Sequence, residues 1–363
     1  MQKASDKPIR VWCDGCYDMV HFGHANQLRQ AKALGDYLVV GIHNDEEIQQ
    51  NKGPPVFTEK ERYEMVREIK WVDEIVEGAP YTTSVETLNK YNCHFCVHGD
   101  DLSIGANGED TYKEVRQAGR YRECRRTAGI STTDLVGRML LLTKNHHSAS
   151  SSLSDEQLDA STNLATDPKA NSPWTGVSQF LASTSTIMLF AEGRVRQPSH
   201  KAVYVAGAFD LFHPGHLAFL KKAAALGDYL IVGIHDDVTV NKYLGENQPI
   251  QTLHERVLTA LAYRPVSEVL IGAPYTLTKE ILDQYKISVV AAGGRSAPDP
   301  YTGADPYWLP KQMGSFVSID CDNDLTTEKI IDRILVNRKA YQDRNRAKEA
   351  KEIKIIESLQ STN

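Results

Sequence analysis

The sequence predicts an α/β protein of two tandem domains, each built on a doubly wound parallel sheet, and three observations predict it. At roughly 150 residues per domain, 363 residues give two domains. The chain also repeats itself: the 35 residues from Val11 match the 35 from Val203 at 19 positions, at a constant offset of 192. The match resumes at an offset of 194, where T-E-K-E-R from Thr58 faces T-L-H-E-R from Thr252 and G-A-P-Y-T from Gly78 faces G-A-P-Y-T from Gly272. So long a period marks a duplicated domain rather than a solenoid. Within each copy, short β-rich runs alternate with helical patterns, as βαβ units require.

In chain order, Val11 to Asp14 reads as a short strand, and His24 to Leu34 spaces Leu28, Ala31 and Leu34 as a helix does. Tyr37 to Ile42 is continuously apolar, which suits a strand buried on both faces. Thr58 with Glu61, and Thr252 with Glu255, place a Thr three residues before a Glu, the signature of a capping box that opens a helix. Cys93 to His98 and Ile287 to Ala292 then extend the parallel sheets. Asn145 to Gly176 is rich in Ser, Asn, Thr, Asp and Pro and reads as linker, while Ser178 to Phe190 is apolar enough for a short helix. The expected organisation is a first copy over 1–144, a partly flexible linker over 145–200, a second copy over 201–345 and a charged helical tail over 346–363.

Composition narrows the function. Lys and Arg number 41 against 47 Asp and Glu, a formal charge of −6, which disfavours phosphate-backbone binding and so nucleic acid. Apolar runs such as Tyr229 to Ile234 fall far short of the roughly 20 residues a bilayer span needs, and no leader pattern opens the chain. A cytoplasmic protein is expected, with peripheral association at the endoplasmic reticulum left open. The terminal stretch with Ile353, Ile355, Ile356 and Leu359 mixes both charge signs around a short apolar side, a pattern of solvated helix rather than lipid anchor. Six cysteines are too few for a disulfide scaffold. The spacings Cys13-x-x-Cys16 and Cys93-x-x-Cys96 suit zinc, but Val205, Ala208, Ile287 and Val290 stand at the matching positions, so the cysteines read as small core residues and no protein-held metal is expected.

Each copy places H-x-G-H between its first strand and next helix, as His21-Phe22-Gly23-His24 and His213-Pro214-Gly215-His216. A helix starting at the carboxyl end of a strand points N–H groups and a positive dipole end at a phosphate, and two imidazoles can add donors. The turns before them, Gly15 to Asp18 and Gly207 to Asp210, share a Gly-x-x-Asp spacing.

Together with R-T-x-G-x-S-T-T at Arg126 to Thr133, and with P-W-T-G-V-S-Q-F from Pro173, this resembles the cytidylyltransferases of the Rossmann-like nucleotidylyltransferase superfamily. The resemblance covers nearly the whole chain. It implies two tandem Rossmann-like nucleotidylyltransferase domains that transfer CMP from CTP to a phosphorylated alcohol, with phosphoethanolamine as the expected acceptor and phosphocholine or glycerol 3-phosphate as alternatives. It further implies that His21 and His24 hold phosphates through the transition state, Lys52 reaches the α-phosphate, and Arg126 with Ser131, Thr132 and Thr133 grips the β- and γ-phosphates. Gly15, Cys16, Tyr17, Asp18, Gly23, Gly99, Asp100 and Gly129 complete the nucleotide site. Mg²⁺ would ride on the triphosphate. Tyr81, Asp101 and Tyr112 would hold the acceptor ammonium, a carboxylate with aromatic faces being suited to a cationic head. Relatives specific for choline carry Trp where this chain has Tyr81.

Aligned on an offset of 194, Arg126 faces Asp320, Gly129 faces Asn323 and Ser131 faces Leu325, with Thr132 and Thr133 retained as Thr326 and Thr327. Lys52 faces Leu244, with Lys242 nearby. Turnover is therefore expected in the first copy, while Ala208, Phe209, His213, His216, Lys242, Thr326 and Thr327 would form a weaker nucleotide site in the second. The recurring Glu61-Arg62 and Glu255-Arg256 pairs read equally as site braces or as helix-start ion pairs. Two homologous domains can pack as an internal pseudo-dimer; pairing of whole chains is left open. Class I aminoacyl-tRNA synthetases share H-x-G-H, but no K-M-S-K-S-like loop or basic RNA-binding domain is visible. A non-catalytic nucleotide-sensing module is the remaining alternative.

Overall fold

The computed structural model describes residues 8–100, 103–106, 108–127, 130–140, 184–191, 195–246, 248–294, 297–347 and 350. Most of the linker, its Ser148 to Ser154 run, the Pro173 segment, the tail beyond 350, Asp101 and Gly129 lie outside the described residues. Two compact units emerge, Met1–Leu140 with Ile330–Asn363, and Leu141–Lys329. Residues from Ile330 to 345, assigned from sequence to the second copy, thus group with the first unit.

The first unit has five parallel strands, β1 (Arg10–Gly15), β2 (Tyr37–Ile42), β3 (Glu74–Glu77), β4 (Phe95–Gly99) and β5 (Tyr121–Cys124), in the order β3-β2-β1-β4-β5. The second repeats this with β6 (Ala202–Gly207), β7 (Tyr229–Ile234), β8 (Glu268–Ile271), β9 (Ile287–Gly293) and β10 (Phe316–Ile319), ordered β10-β9-β6-β7-β8. Winding reverses between the first and fourth strands of each sheet, which opens a crevice at their carboxyl ends. Helices α1 (Phe22–Lys32), α2 (Asp45–Lys52), α3 (Glu59–Arg67), α4 (Val85–Lys90), α5 (Lys113–Gln117) and α6 (Thr132–Leu140) connect or follow these strands.

Local chemistry explains the elements. Tyr37–Ile42 is buried over its last five residues, as its unbroken apolar run requires. Gly41 lies under the Trp12 ring, where an added Cβ would come within 2.5 Å of it, so the aromatic of β1 needs a glycine on β2. Both expected capping boxes form, at Thr58 with Glu61 and at Thr252 with Glu255. The helix expected over Ser178 to Phe190 is described as α7 (Thr184–Ala191). The second copy continues with α8 (Pro214–Ala224), α9 (Asp237–Leu244), α10 (Leu253–Leu261), α11 (Lys279–Gln284), α12 (Trp308–Gln312) and α13 (Thr327–Val336). Among the described residues, no helix is long and apolar enough to cross a membrane.

Strand register corrects one part of the sequence alignment. Cys96 pairs with Tyr121, and Val290 with Phe316, so the offset has grown to 195 by the fifth strands. The loop after β9 holds one residue more than the loop after β4. Arg126 therefore faces Cys321 rather than Asp320, Gly129 faces Asp324, and Ser131 and Thr132 face Thr326 and Thr327.

Candidate active site

The H-x-G-H turn of the first unit builds the start of α1 from its own side chains. His21 is the N-cap; its Nδ1 accepts from the Gly23 amide at 3.1 Å, and His24 Nδ1 accepts from the His21 amide at 3.4 Å. The two rings stack with centroids 3.9 Å apart. Because Nδ1 of each ring accepts, the neutral imidazole carries its proton on Nε2, which is the donor form a phosphate oxygen needs. Gly23 is required by this packing itself, since a Cβ there would lie 2.9 Å from the His21 ring and 3.0 Å from Ile130.

The loop before the histidines is held in an unusual backbone. Tyr17 and Met19 have positive φ of 50°, and Phe209 and Leu211 repeat this at 49° and 46°. Left-handed backbone at bulky residues is costly and persists only where surroundings enforce it. Here a buried arginine does so: Arg62 donates to the carbonyls of Cys16 (2.7 Å), His43 (2.6 Å) and Phe57 (3.2 Å) and pairs with Asp45 at 2.8 Å. Arg256 makes the equivalent bonds to Ala208, His235, Gln251 and Asp237. The recurring arginine is thus a brace across the loops after the first and second strands.

Asp18 also ties loops together. Its buried carboxylate accepts from the Val56 and Phe57 amides, and its carbonyl accepts from Thr132 Oγ1 at 2.9 Å. Ser131 Oγ caps the Asp134 amide, so the S-T-T run opens α6 as an N-cap cluster, which is also a place for an anion. Helix α1 pins the neighbouring arginine loop: Gln30 exchanges two hydrogen bonds with the Arg125 backbone, and Asn26 donates to Thr127 Oγ1. Next to it, the Arg126 amide donates to Asp100 Oδ1 at 3.1 Å. Gly99 ends β4, and its carbonyl accepts from Tyr121 OH at 3.4 Å. These bonds bring the histidine turn, the S-T-T helix start and the arginine loop to the carboxyl ends of β1, β4 and β5.

A second cluster lies beside the first. Lys52 ends α2, with Nζ 5.9 Å from the centre of the Tyr81 ring, and Tyr81 also packs on His43 at 4.9 Å. Tyr112 OH donates to Asp14 Oδ1 at 2.8 Å, and Thr83 Oγ1 donates to Asp14 Oδ2. The Thr83 amide donates to the Thr111 carbonyl, joining the loops that carry Tyr81 and Tyr112. Burial raises the Tyr112 phenol well above its usual value and lowers the His43 imidazole, which the Asp14 charge partly offsets. Asp14 is 2% exposed. Sequence reading passed over it inside the strand run V-W-C-D-G; the available signal was a carboxylate in a buried strand facing Ala206 in the second copy.

The second unit repeats the frame with other chemistry. His213 caps α8 through the Gly215 amide, and its ring lies 3.8 Å from that of His216. His216 packs against Phe209 and Phe212, and burial lowers its imidazole to about 3. Thr326 Oγ1 accepts from the Lys329 amide, and Thr327 Oγ1 donates to the Asp210 carbonyl at 3.1 Å. Lys242 lies over the Tyr301 ring at 5.9 Å. Ala206 stands for Asp14, Leu277 for Thr83, Leu244 for Lys52 and Cys321 for Arg126.

An α/β unit with its histidine pair and helix N-termini gathered at the sheet's switch point defines a phosphate-binding class of site, of the kind nucleotide-binding α/β proteins carry. The family model described as cytidylyltransferase-like matches residues 12–138 and 204–343. The chain is 54% identical to the ethanolamine-phosphate cytidylyltransferase of Mus musculus, over 96% of this chain and 91% of that protein. It is 52% identical to the enzyme of the same name from Dictyostelium discoideum, over 98% of each. Similarity to choline-phosphate cytidylyltransferase A of Homo sapiens is 40% over only 39% of this chain and 40% of that one. The chain belongs to the cytidylyltransferase-like family, within the ethanolamine-phosphate cytidylyltransferases.

Proposed function

We propose that the first copy transfers CMP from CTP to phosphoethanolamine, giving CDP-ethanolamine and pyrophosphate on the route to phosphatidylethanolamine. A phosphate oxygen of the acceptor attacks the α-phosphorus, the bond from that phosphorus to its β-bridging oxygen breaks, and pyrophosphate leaves. No protein nucleophile is required, so catalysis rests on positioning and on charge stabilisation. His21 and His24 donate from Nε2 to phosphate oxygens, and Lys52 supplies a cation to the α-phosphate. Arg126 and the α6 N-terminus take the charge that builds on the leaving pyrophosphate.

The observation that carries the acceptor reading is Asp14. Its buried carboxylate accepts from two neutral hydroxyls and has no Lys or Arg ion-pair partner among the described residues. A buried carboxylate is costly without a cation. A primary ammonium has three N–H donors to give it, a quaternary one has none, and glycerol 3-phosphate has no cation at all. Tyr81 and Tyr112 supply aromatic faces beside it. In this reading Asp14 is a carboxylate that selects the acceptor; Asp101 lies outside the described residues.

Mg²⁺ fits as a passenger on the triphosphate. Among the described residues no three His, Cys, Asp or Glu side chains cluster as metal ligands, whereas a single carboxylate with phosphate oxygens suffices for this ion. Asp100, which accepts from the Arg126 amide, would be the carboxylate to share it. When bound, the ion neutralises charge on the phosphates.

The test is product formation from CTP and Mg²⁺ with phosphoethanolamine, phosphocholine and glycerol 3-phosphate in parallel, followed by chromatography of the CDP-alcohol. Turnover restricted largely to phosphoethanolamine is expected. Folded protein that binds CTP yet turns over none of the three would reassign the chain to nucleotide sensing.

A further inference from the structure

The loop Lys52-Gly53-Pro54-Pro55 carries the cation assigned to the α-phosphate, and half of its residues are prolines. Its two prolines have no N–H to donate, so only their carbonyls can anchor the turn. Those carbonyls are taken by residues nearly 300 positions downstream. Arg344 Nη1 donates to the Pro54 carbonyl at 2.6 Å, and Tyr341 OH donates to the Pro55 carbonyl at 3.0 Å. The same Arg344 nitrogen lies 3.2 Å from Asp18 Oδ2, with the two side chains 10% and 5% exposed.

Asp18 thereby links three parts of the site: the Val56 and Phe57 amides that follow the loop, the Thr132 hydroxyl at the start of α6, and Arg344. Eleven residues before Arg344, Arg333 grips Glu61 through both carboxylate oxygens at 2.8 Å and reaches the Val56 carbonyl at 3.4 Å. Asn345 Nδ2 donates to the Thr133 carbonyl at 3.4 Å. The downstream strap thus touches both flanks of the nucleotide site, the lysine loop and the S-T-T helix start.

The second copy closes its corresponding loop differently. Asp210 accepts the equivalent Ile250 and Gln251 amides, and the Leu211 amide besides, with Gln251 Oε1 accepting from Leu211 as well. The loop there is Gly245-Glu246-Asn247-Gln248-Pro249, and Asn241 Nδ2 holds its Glu246 and Gln248 carbonyls from within. The second-copy loop is held from inside its own repeat, whereas the first-copy loop is held from outside its repeat, by residues that follow β10.

We infer that Arg344 is a positioning residue for the reaction: with Tyr341 and Arg333 it sets the lysine loop, and so Lys52, against the CTP phosphates. This rests on the proposed cytidylyl transfer and on the role of Lys52 within it. It also gives residues that follow β10 a function in the first copy's chemistry that does not depend on whether the second site binds anything.

The test is a double-variant cycle in the full-length protein, with kcat and KM for CTP and for phosphoethanolamine measured on wild type, Arg344→Ala, Lys52→Ala and the pair. Arg344→Ala is expected to lower kcat/KM for CTP by about 10- to 100-fold, the range for a displaced reacting group, while KM for phosphoethanolamine stays near wild type. In the Lys52→Ala background the further loss is expected to be small, because both changes disable the same cation. Arg344→Lys should recover part of the loss. Wild-type CTP kinetics in Arg344→Ala, or losses that multiply in the double variant, would overturn the inference. If Arg344→Ala does not fold, Tyr341→Phe replaces it in the cycle, with a smaller loss in the same direction expected and wild-type kinetics overturning it. Wild-type protein without turnover would sink the functional reading instead; CTP affinity by calorimetry then decides the strap, weaker in Arg344→Ala if it positions Lys52 and unchanged if it does not.

Discussion

Asp14 and Ala206 occupy the same position on the first strands of the two copies, and the environments around them have diverged together. In the first copy a buried carboxylate is met by Thr83 and Tyr112; in the second, Ala206 and Leu277 fill the space with hydrocarbon, and Leu277 is buried. The frame has been kept in both. Sheet order, the His cap on the helix, the left-handed residues of the loop and the buried arginine brace recur nearly bond for bond. Folding constrains that frame directly, because each brace satisfies buried carbonyls whose loss would be costly. The charged groups proposed to face the substrates differ between the copies instead: Leu244 stands for Lys52, Cys321 for Arg126 and Ala206 for Asp14.

This contrast can be broken most sharply at the arginine. Arg126→Ala is expected to lower kcat by about 10²- to 10³-fold, the loss typical of removing a preorganised donor to developing charge. Thermal unfolding should be little changed. Steady-state kinetics with saturating CTP check this, and a kcat within a few-fold of wild type would contradict a role on the leaving group.

Asp14→Asn comes next. It keeps the shape and the acceptor for one hydroxyl but removes the charge, so kcat/KM for phosphoethanolamine is expected to fall by roughly 100-fold, a loss on the scale of leaving a charged group unpaired. KM for CTP should stay near wild type. An equal loss on both substrates would instead mean that Asp14 serves the fold.

The smallest effect sharpens the comparison from the stability side. His216 is buried and held neutral, with its imidazole lowered to about 3 from the usual 6.5, so the unfolded chain takes up a proton that the folded one refuses. Stability from this group is complete above about pH 6.5 and is lost as pH falls toward 3, at up to about 1.4 kcal/mol per pH unit. Asp210, raised to about 6 by burial, works in the opposite sense, since its folded form binds a proton first between about pH 6 and 4. His216→Phe isolates the histidine: its urea-unfolding free energy should depend less steeply on pH than that of wild type between 6.5 and 4. Parallel curves would show that the ring titrates normally.

Much of this was legible in the sequence, for identifiable reasons. The duplicated halves, the apolar strand run, the capping boxes and the H-x-G-H turn all express local periodicity or spacing, and the structure keeps them. The alignment slipped by one residue at the arginine loop because an insertion in a loop leaves no pattern in sequence, whereas strand register exposes it. Asp14 was missed because a single carboxylate inside a β-rich run looks like noise until Thr83 and Tyr112, contributed by distant loops, are seen to converge on it. Arg344 was beyond sequence reading for the same reason in stronger form. Its partners lie 290 and 326 positions away, and its own surroundings read only as a charged helix.

The most direct measurement of where the chemistry resides is pyrophosphate release from CTP, Mg²⁺ and phosphoethanolamine by wild type, His24→Ala and His216→Ala, each shown to be folded. Turnover abolished by His24→Ala and retained by His216→Ala is the predicted result. Equal loss in both variants would contradict the division of labour between the two copies.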